Sequence, residues 1–383
     1  MPIVFHDFRA TSGLNSPESM ANFPPGQMQT ADVATRLADA AAYFPALGAI
    51  TAHDLLALVH AELGHAEALD DFKPYGGHLA KAIGPRNILL VVSSRRPAAG
   101  LRSLIHGLLL GSHVRCAIPD SNGAAEFTEF RRLLPAKLAA RVEIDRELAG
   151  TWLAEADAAI VYGGNDTIER VRTHIQPGQI FVSYPQKLSF GVVFEDPTLL
   201  SASGAARDAS GADQLGGLFP HIFFVAEDPL AYAAKLAAEM ERWHAREPRE
   251  IRSVADGNAI RNQRAALAAR ADNDEPVVVF QSADAAGWTV AFDPAPNFPY
   301  PPIHRFVYVK PLPQDLAATL AEVKPHLACV GIWPATVENA RRLTEIGAPR
   351  ICPLGRMQFP PSTWHRNGGP VLTPLVRWID AEV

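Results

Sequence analysis

The sequence predicts an α/β protein with one doubly wound parallel sheet and a second α/β domain behind it. Three observations carry that expectation. Between residues 87 and 194, short apolar runs alternate with helical stretches, the grammar of right-handed βαβ units. Runs such as Asn87-Ile88-Leu89-Leu90-Val91-Val92 are apolar without interruption, as strands buried on both faces of a parallel sheet are. At 383 residues the chain is also too long for one simple core, which favours two domains.

Residues 1–28, rich in Pro, Ser, Asn and Gly, read as an irregular arm. Apolar residues at three- and four-residue spacing predict helices over 31–47 and 51–63, each after a threonine or similar cap. The stretch 72–77 (FKPYGG) breaks that pattern. Then follow a strand at 87–92, an exit loop at 93–97 and an apolar helix at 98–110 closed by Gly111. A strand at 113–118 leads to a charged helix over 126–148 and a strand at 158–162. That strand ends in Gly163-Gly164 and passes directly to a helix at 166–174. Strands at 179–183 and 191–194 complete the first half.

The second half repeats the grammar less cleanly. It predicts a strand at 221–225, an amphipathic helix at 228–244, and strands at 276–280 and 288–292 that pair. A half-exposed strand at 305–310, a helix at 314–323, a buried strand at 327–332 and a helix at 335–346 ended by Gly347 follow. The Pro-, Gly- and aromatic-rich tail from Arg350 is expected to lie across other elements without forming its own. The resulting division is 1–75 (arm and helices), 76–208 (first domain), 209–350 (second domain) and 351–383 (closing segment).

Composition narrows the function. The net charge of −6 gives no electrostatic reason to expect nucleic acid or an anionic membrane as partner. Three cysteines, at 116, 329 and 352, form no CxxC pair, which fits a reducing cytosol and argues against a metal cluster. The N-terminus lacks the basic and apolar regions of a signal peptide, and no run is expected to reach the length of a spanning helix. The expectation is a cytoplasmic protein with no metal.

In open α/β sheets, ligands bind beyond the carboxyl ends of the strands. Three such exits stand out: 93–97, 163–167 and 213–219. In Gly163-Gly164-Asn165-Asp166-Thr167, paired glycines admit close approach of a phosphate, and the following helix offers unpaired amides. Gly216-Gly217 feeds the strand-like Ile222-Phe223-Phe224-Val225 and presents backbone at a sheet mouth. Neither a P-loop nor a nucleophile elbow is present.

The closing segment carries Arg350-Ile351-Cys352-Pro353-Leu354-Gly355-Arg356-Met357-Gln358, then Pro360-Pro361, Trp364-His365, Gly368 and Leu375-Val376-Arg377. With Ser103-Leu104-Ile105-His106-Gly107, the turn at 163–170, Lys187-Leu188-Ser189-Phe190 and Asp213-Gln214…Pro220-His221, it resembles the LuxC-type acyl-CoA reductases, a branch of the aldehyde dehydrogenase superfamily. The resemblance spans residues 85–383 or so and implies an aldehyde-dehydrogenase-like fold, with a dinucleotide-binding domain before a catalytic domain.

It further implies reduction of an acyl thioester (acyl-CoA) to the aldehyde with NADPH, or alternatively NADH. A cysteine would hold the acyl group. Ser93, Ser94, Gly163, Gly164, Thr167 and Lys187 fall where cofactor contacts are expected. The family motif reads like Asp-Gln-x-Gly-Cys-Leu-Ser-Pro-His, so its cysteine falls on Gly217 here. Arg95 stands where the family has an oxyanion-holding asparagine, and Ala117 where it has a basic residue near the cofactor ribose, with Arg115 close by. Cys352 is the alternative nucleophile. His221 either donates to a substrate oxygen or orients the glycine loop.

Three functions remain open: an acyl thioester reductase, a cysteine-independent carbonyl or imine oxidoreductase, and a non-catalytic dinucleotide-binding or partner subunit. The resemblance also implies an acyl-activating partner protein and a homo-oligomer.

Overall fold

The computed structural model describes residues 28–93, 98–249, 253–284 and 287–383. They form two compact units. The first comprises Met1–Pro185, Pro361–Trp364 and Gly369–Val383; the second comprises Gln186–Pro360 and His365–Gly368.

In the first unit, α1 (Thr30–Ala41) and α2 (Ala52–Leu63) bury one apolar face each. Thr51 and Asp54 cap α2 reciprocally, side chain to backbone in both directions. The helix expected to run to residue 47 stops at Ala41, because Pro45 opens a separate 3₁₀ turn and cannot extend it. By length and composition alone, Pro45–Leu63 is apolar enough to cross a membrane, contrary to the sequence expectation. Here it is interrupted at Gly48 (φ 71°), and Leu55, Leu58, Val59 and Leu63 pack into the first core.

Strands β1 (Lys73–Tyr75) and β2 (His78–Ile83) form a hairpin around Gly76-Gly77, both with positive φ. The doubly wound part follows: β3 (Asn87–Val92), α3 (Ala98–Leu109), β4 (His113–Ala117), α4 (Ser121–Leu133), α5 (Ala136–Ala139) and β5 (Val142–Asp145). It continues with α6 (Gly150–Ala154), β6 (Ala158–Gly163), α7 (Asn165–Arg172) and β7 (Ile180–Pro185). The order is β5-β4-β3-β6-β7, every pair parallel. The single helix expected over 126–148 is corrected to α4, α5 and β5. Pro135 ends the first helical run, and Val142 and Ile144 alternate with Glu143 and Asp145 at the period of a strand.

The second unit opens with β8 (Leu188–Val193), α8 (Ser201–Ser210), β9 (Pro220–Val225), α9 (Pro229–Arg246) and α10 (Val254–Asp272). Next come β10 (Val278–Gln281), β11 (Thr289–Phe292), β12 (Phe306–Pro311), α11 (Leu316–Thr319), β13 (Leu327–Trp333), α12 (Val337–Arg341) and β14 (Ile351–Pro353). The sheet order is β10-β11-β12-β9-β8-β13-β14, and the β10/β11 pair alone is antiparallel.

The strand expected at 191–194 is β8, and it lies between β9 and β13 in this second sheet. The change of unit therefore falls after Pro185 instead of after residue 208. Phe190 and Val192 enforce it by packing with Ile222, Phe224 and Val330. The tail does form elements of its own: β14 extends the second sheet, and β15 (Arg377–Ala381) pairs antiparallel with β2 in the first unit. The helices expected at 314–323 and 335–346 shrink to α11 and α12, neither of which buries a residue. Gly347 ends its segment in the left-handed conformation, as expected (φ 76°).

Candidate functional site

In the first unit the chain runs from β3 outward through β4 to β5, then returns to β6 on the other side. The strand order therefore reverses between β3 and β6, the switch point where doubly wound sheets bind ligands. Ser93 leaves β3 and Gly163-Gly164 leave β6 at that point. The Ser93 amide (2.9 Å) and hydroxyl (3.1 Å) both donate to the Tyr162 carbonyl. A Cβ at Gly163 would overlap the Ser93 hydroxyl and come within 3.0 Å of Thr167 Cβ, so glycine is needed for strand and helix to meet. Gly164 differs: a Cβ there would meet nothing within 4 Å.

Gly164 is the N-cap of α7 and offers no side chain to its first amides. Those amides and the helix dipole favour an anion, while Asp166 in the first turn opposes one. Tyr162 anchors the end of β6 by a 2.7 Å hydrogen bond between its hydroxyl and that of Ser103, and by stacking on Tyr184. Ser93, Gly163, Gly164 and Thr167 are thus brought together. Ser94 and Arg95 lie outside the described residues. Arg115 is committed elsewhere, to Glu143 (3.3 Å) and Glu155 (2.6 Å), and Ala117 is buried.

In the second unit the glycine loop is held from four directions. Ala212, Asp213 and Gln214 have φ of 40°, 54° and 59°, a left-handed run costly for residues with a Cβ. Asp213 Oδ1 accepts from Arg305 Nε at 3.1 Å, and Arg305 Nη1 donates to the Glu247 carbonyl at 2.8 Å. The Gln214 carboxamide donates to the carbonyls of Pro220 (2.9 Å) and Phe306 (3.2 Å) and accepts from Phe306 N (2.9 Å). It thereby replaces backbone rungs where β9 and β12 begin. The Ser189 hydroxyl donates to the Gly217 carbonyl at 2.6 Å, and Gln358 Nε2 donates to the Leu218 carbonyl at 2.8 Å.

Lys187 lines Gly217: a Cβ at 217 would sit 3.1 Å from Lys187 Cβ. Its own amine donates to the Pro325 carbonyl at 2.8 Å, and burial pushes its pKa down. His221 is the extra residue of a bulge, since Ser189 pairs with Pro220 but Phe190 with Ile222. Burial pushes its imidazole down to about 4, so it is neutral at neutral pH. Nδ1 has no partner among the described residues. Cys352 lies in β14, the edge strand, separated from β9 by β13 and β8. Its sulfur packs 3.6 Å from that of Cys329 inside the second core.

The closing motif is anchored by a residue without a sequence signal. Buried Asp208 on α8 accepts from the amides of Gly355 (2.5 Å) and Met357 (3.1 Å). Burial pushes its carboxyl up to about 7, against the pull of those amides and of Arg207 and Arg350. With the folded value above the unfolded one, the folded state takes up a proton between about pH 4 and 7. The contribution of Asp208 to stability should therefore fall as pH rises through that window, by at most about 1.4 kcal/mol per pH unit. The lowered His221 contributes with the opposite sign below about pH 6.5, so the net fall is expected between about pH 6.5 and 7, and the Asp208 share is read as the difference from Asp208→Asn. Urea denaturation of the protein and of Asp208→Asn at pH 5 and pH 8 measures this difference; an unchanged slope in the variant would assign the fall to another group.

A family model described as Acyl-CoA reductase (LuxC) matches residues 29–378. The chain belongs to the LuxC acyl-CoA reductase family. Compared with curated proteins one by one, it matches none. Among solved structures, this LuxC-family chain resembles proline utilization A from Bdellovibrio bacteriovorus, with TM-score 0.65 and 13% identity over 92% of the chain. It spans only 44% of that protein's length. It resembles a NAD-dependent benzaldehyde dehydrogenase from Corynebacterium glutamicum at TM-score 0.61 and 13% identity, covering 93% of this chain and 86% of that one. For the NADP-dependent glyceraldehyde-3-phosphate dehydrogenase of Bacillus halodurans C-125 the values are 0.61 and 13%, over 92% and 84%. The LuxC-family chain thus has the aldehyde-dehydrogenase-like fold, and family and fold are those of aldehyde-related oxidoreductases.

Proposed function

We propose that this LuxC-family protein binds a nicotinamide dinucleotide and an acyl- or carbonyl-bearing small molecule without carrying an acyl group on cysteine. One observation carries the second half of that reading: position 217 is glycine, and all three cysteines of the chain are buried in cores. Thioester exchange requires a thiolate that reaches the acyl carbon and displaces CoA as its thiol. Cys116 and Cys329 are fully buried, and Cys352 is buried in the same core as Cys329, against whose sulfur its own packs at 3.6 Å. Burial pushes the Cys116 thiol up, further from thiolate; the hydrogen bond between the two sulfurs raises Cys329 and lowers Cys352, so for Cys352 it is burial in the core that stands against that exchange.

The residues at the switch point fit a dinucleotide. Gly163 lets Ser93 and Thr167 close together, and Gly164 leaves open space in front of α7 for a phosphate oxygen. When bound, such a cofactor supplies a hydride. The Ser189 and Gln358 hydrogen bonds keep the glycine loop in one shape although it carries no nucleophile.

The test joins two measurements on the purified protein: fluorescence titration with NADH and NADPH, and intact mass after incubation with octanoyl-CoA. Saturable binding at micromolar concentration with an unmodified mass is expected. A covalent octanoyl adduct, or no dinucleotide binding, overturns the reading. Oxidation of the reduced dinucleotide by a free aldehyde would then identify hydride transfer without a covalent step.

A further inference from the structure

We infer that Cys329 and Cys352 are a reversible dithiol switch in the second unit, closed to a disulfide by hydrogen peroxide and acting on the glycine loop through the closing motif. The inference does not depend on the dinucleotide reading above. Two of the three cysteines of the chain meet here, their sulfurs 3.6 Å apart although the residues are 23 apart in sequence. Cys116 lies in the core of the first unit and takes no part.

The local geometry makes the pair. Gly331 of β13 pairs with Cys352 of β14, so Cys329, two residues earlier, shares that sheet face and is diagonal to Cys352. A Cβ at Gly331 would overlap Leu354 and Met357, so no side chain of β13 separates the two thiols. Arg350 donates from Nη1 to the Cys329 sulfur (3.5 Å) and to the Met357 carbonyl (2.6 Å). A guanidinium beside two thiols favours loss of the first proton. The charge falls to Cys352, whose pKa the hydrogen bond from Cys329 lowers against burial, with help from Arg350. Cys352 is also the sulfur a solute meets first, being 7% exposed in the edge strand while Cys329 is fully buried. That opening excludes a CoA thioester and suffices for hydrogen peroxide, a molecule little larger than water.

The Cys352 thiolate attacks one peroxide oxygen; the S–O bond forms, the O–O bond breaks, and hydroxide leaves to take up the proton that Cys352 released. The Cys329 sulfur then attacks the sulfenic acid, giving its proton to the departing oxygen, so the S–S bond forms and water leaves. Two thiols and one peroxide thus become one disulfide and two waters, and a dithiol reductant reverses the change by exchange.

Closing brings the sulfurs from 3.6 Å to about 2.05 Å. β14 is paired on one side only, so it is the strand that gives. The residues after it are tied to the glycine loop: Gly355 and Met357 donate to Asp208, and Gln358 holds the Leu218 carbonyl. A shift at Cys352 therefore loads that last bond.

The full chain is treated with hydrogen peroxide and digested without reductant. A peptide pair joined through Cys329 and Cys352, one maleimide-reactive thiol left under denaturant, and recovery of all three thiols with dithiothreitol are expected. By hydrogen exchange, the amides of residues 215–218 should exchange about ten-fold faster after oxidation and return on reduction. In Cys352→Ala, the same peroxide treatment should leave that exchange unchanged. The unaltered chain carries the decision. Three free thiols after peroxide, a bridge to Cys116, or sulfinic acid on Cys352 without a bridge would overturn the pair, and a bridge with unchanged loop exchange would overturn the switch.

Discussion

Gly163→Val should weaken dinucleotide binding roughly 100-fold or more and destabilise the first unit by about 1–3 kcal/mol. Even the Cβ of the new side chain would overlap the Ser93 hydroxyl and crowd Thr167, and the two branched methyls add bulk at the same place. Either Ser93 gives up its two bonds to the Tyr162 carbonyl, or α7 moves away from β6. Both changes deform the exit between β3 and β6, where the ligand is held. Gly164→Ala is the matched control. Its backbone (φ −70°, ψ 165°) suits any residue and its Cβ meets nothing, so stability should change by less than about 0.5 kcal/mol. Reduced affinity in Gly164→Ala without a change in Tm would show that the ligand itself fills that space. Wild-type affinity in Gly163→Val would remove the site from this exit.

Why Gly163 could be singled out from sequence, and its partners could not, has a physical reason. A paired glycine between an apolar strand and a helix marks a backbone constraint that is local in the chain. The restraints on the other glycine loop are long-range. Gln358 reaches Leu218 across 140 residues, and Asp208 reaches Gly355 across 147, with no periodicity to announce either bond. Ser189 and Gln358 sit inside motifs that were recognisable, but their task was visible only in space. Arg305 pairs with Asp213 from a residue that itself has positive φ, a conformation sequence pattern does not reveal.

The same distinction separates the elements that could be read from those that could not. β3, β6, β9 and β13 are near-continuous apolar runs and stood out. β5 has only Val142 and Ile144 to mark it, within a charged stretch. Apart from Arg207 and Asp208, α8 is built from Ala, Ser and Gly and buries no large apolar side chain, and α10 buries only Gly257, Ile260 and Leu267. α10 lacks the apolar stripe that sequence reading depends on, and the stripe of α8 is alanine alone, at 202, 205, 206 and 209. Placement of β8 in the second sheet was hidden for another reason: an apolar strand does not state which sheet it joins.

Gly217→Cys should convert a chain that forms no acyl adduct into one labelled to near stoichiometry by octanoyl-CoA. Position 217 lies outside the left-handed region, so a side chain is compatible with its backbone. The new Cβ would stand 3.1 Å from Lys187 Cβ and 3.4 Å from the Lys187 carbonyl, requiring a shift of a few tenths of an ångström. Attack of the introduced thiolate on the acyl carbon forms the new thioester while the bond to CoA breaks, and CoA leaves as a thiol. Gly217→Ser carries the same Cβ without the sulfur. It should lose similar stability, about 1 kcal/mol, and form no adduct. Intact mass and peptide mapping read the result. A thiol at 217 that reacts with iodoacetamide but not with octanoyl-CoA would show that this loop is not where the family's nucleophile stands. An octanoyl adduct mapped to 217 would identify the glycine as the residue that closes the covalent route in this protein.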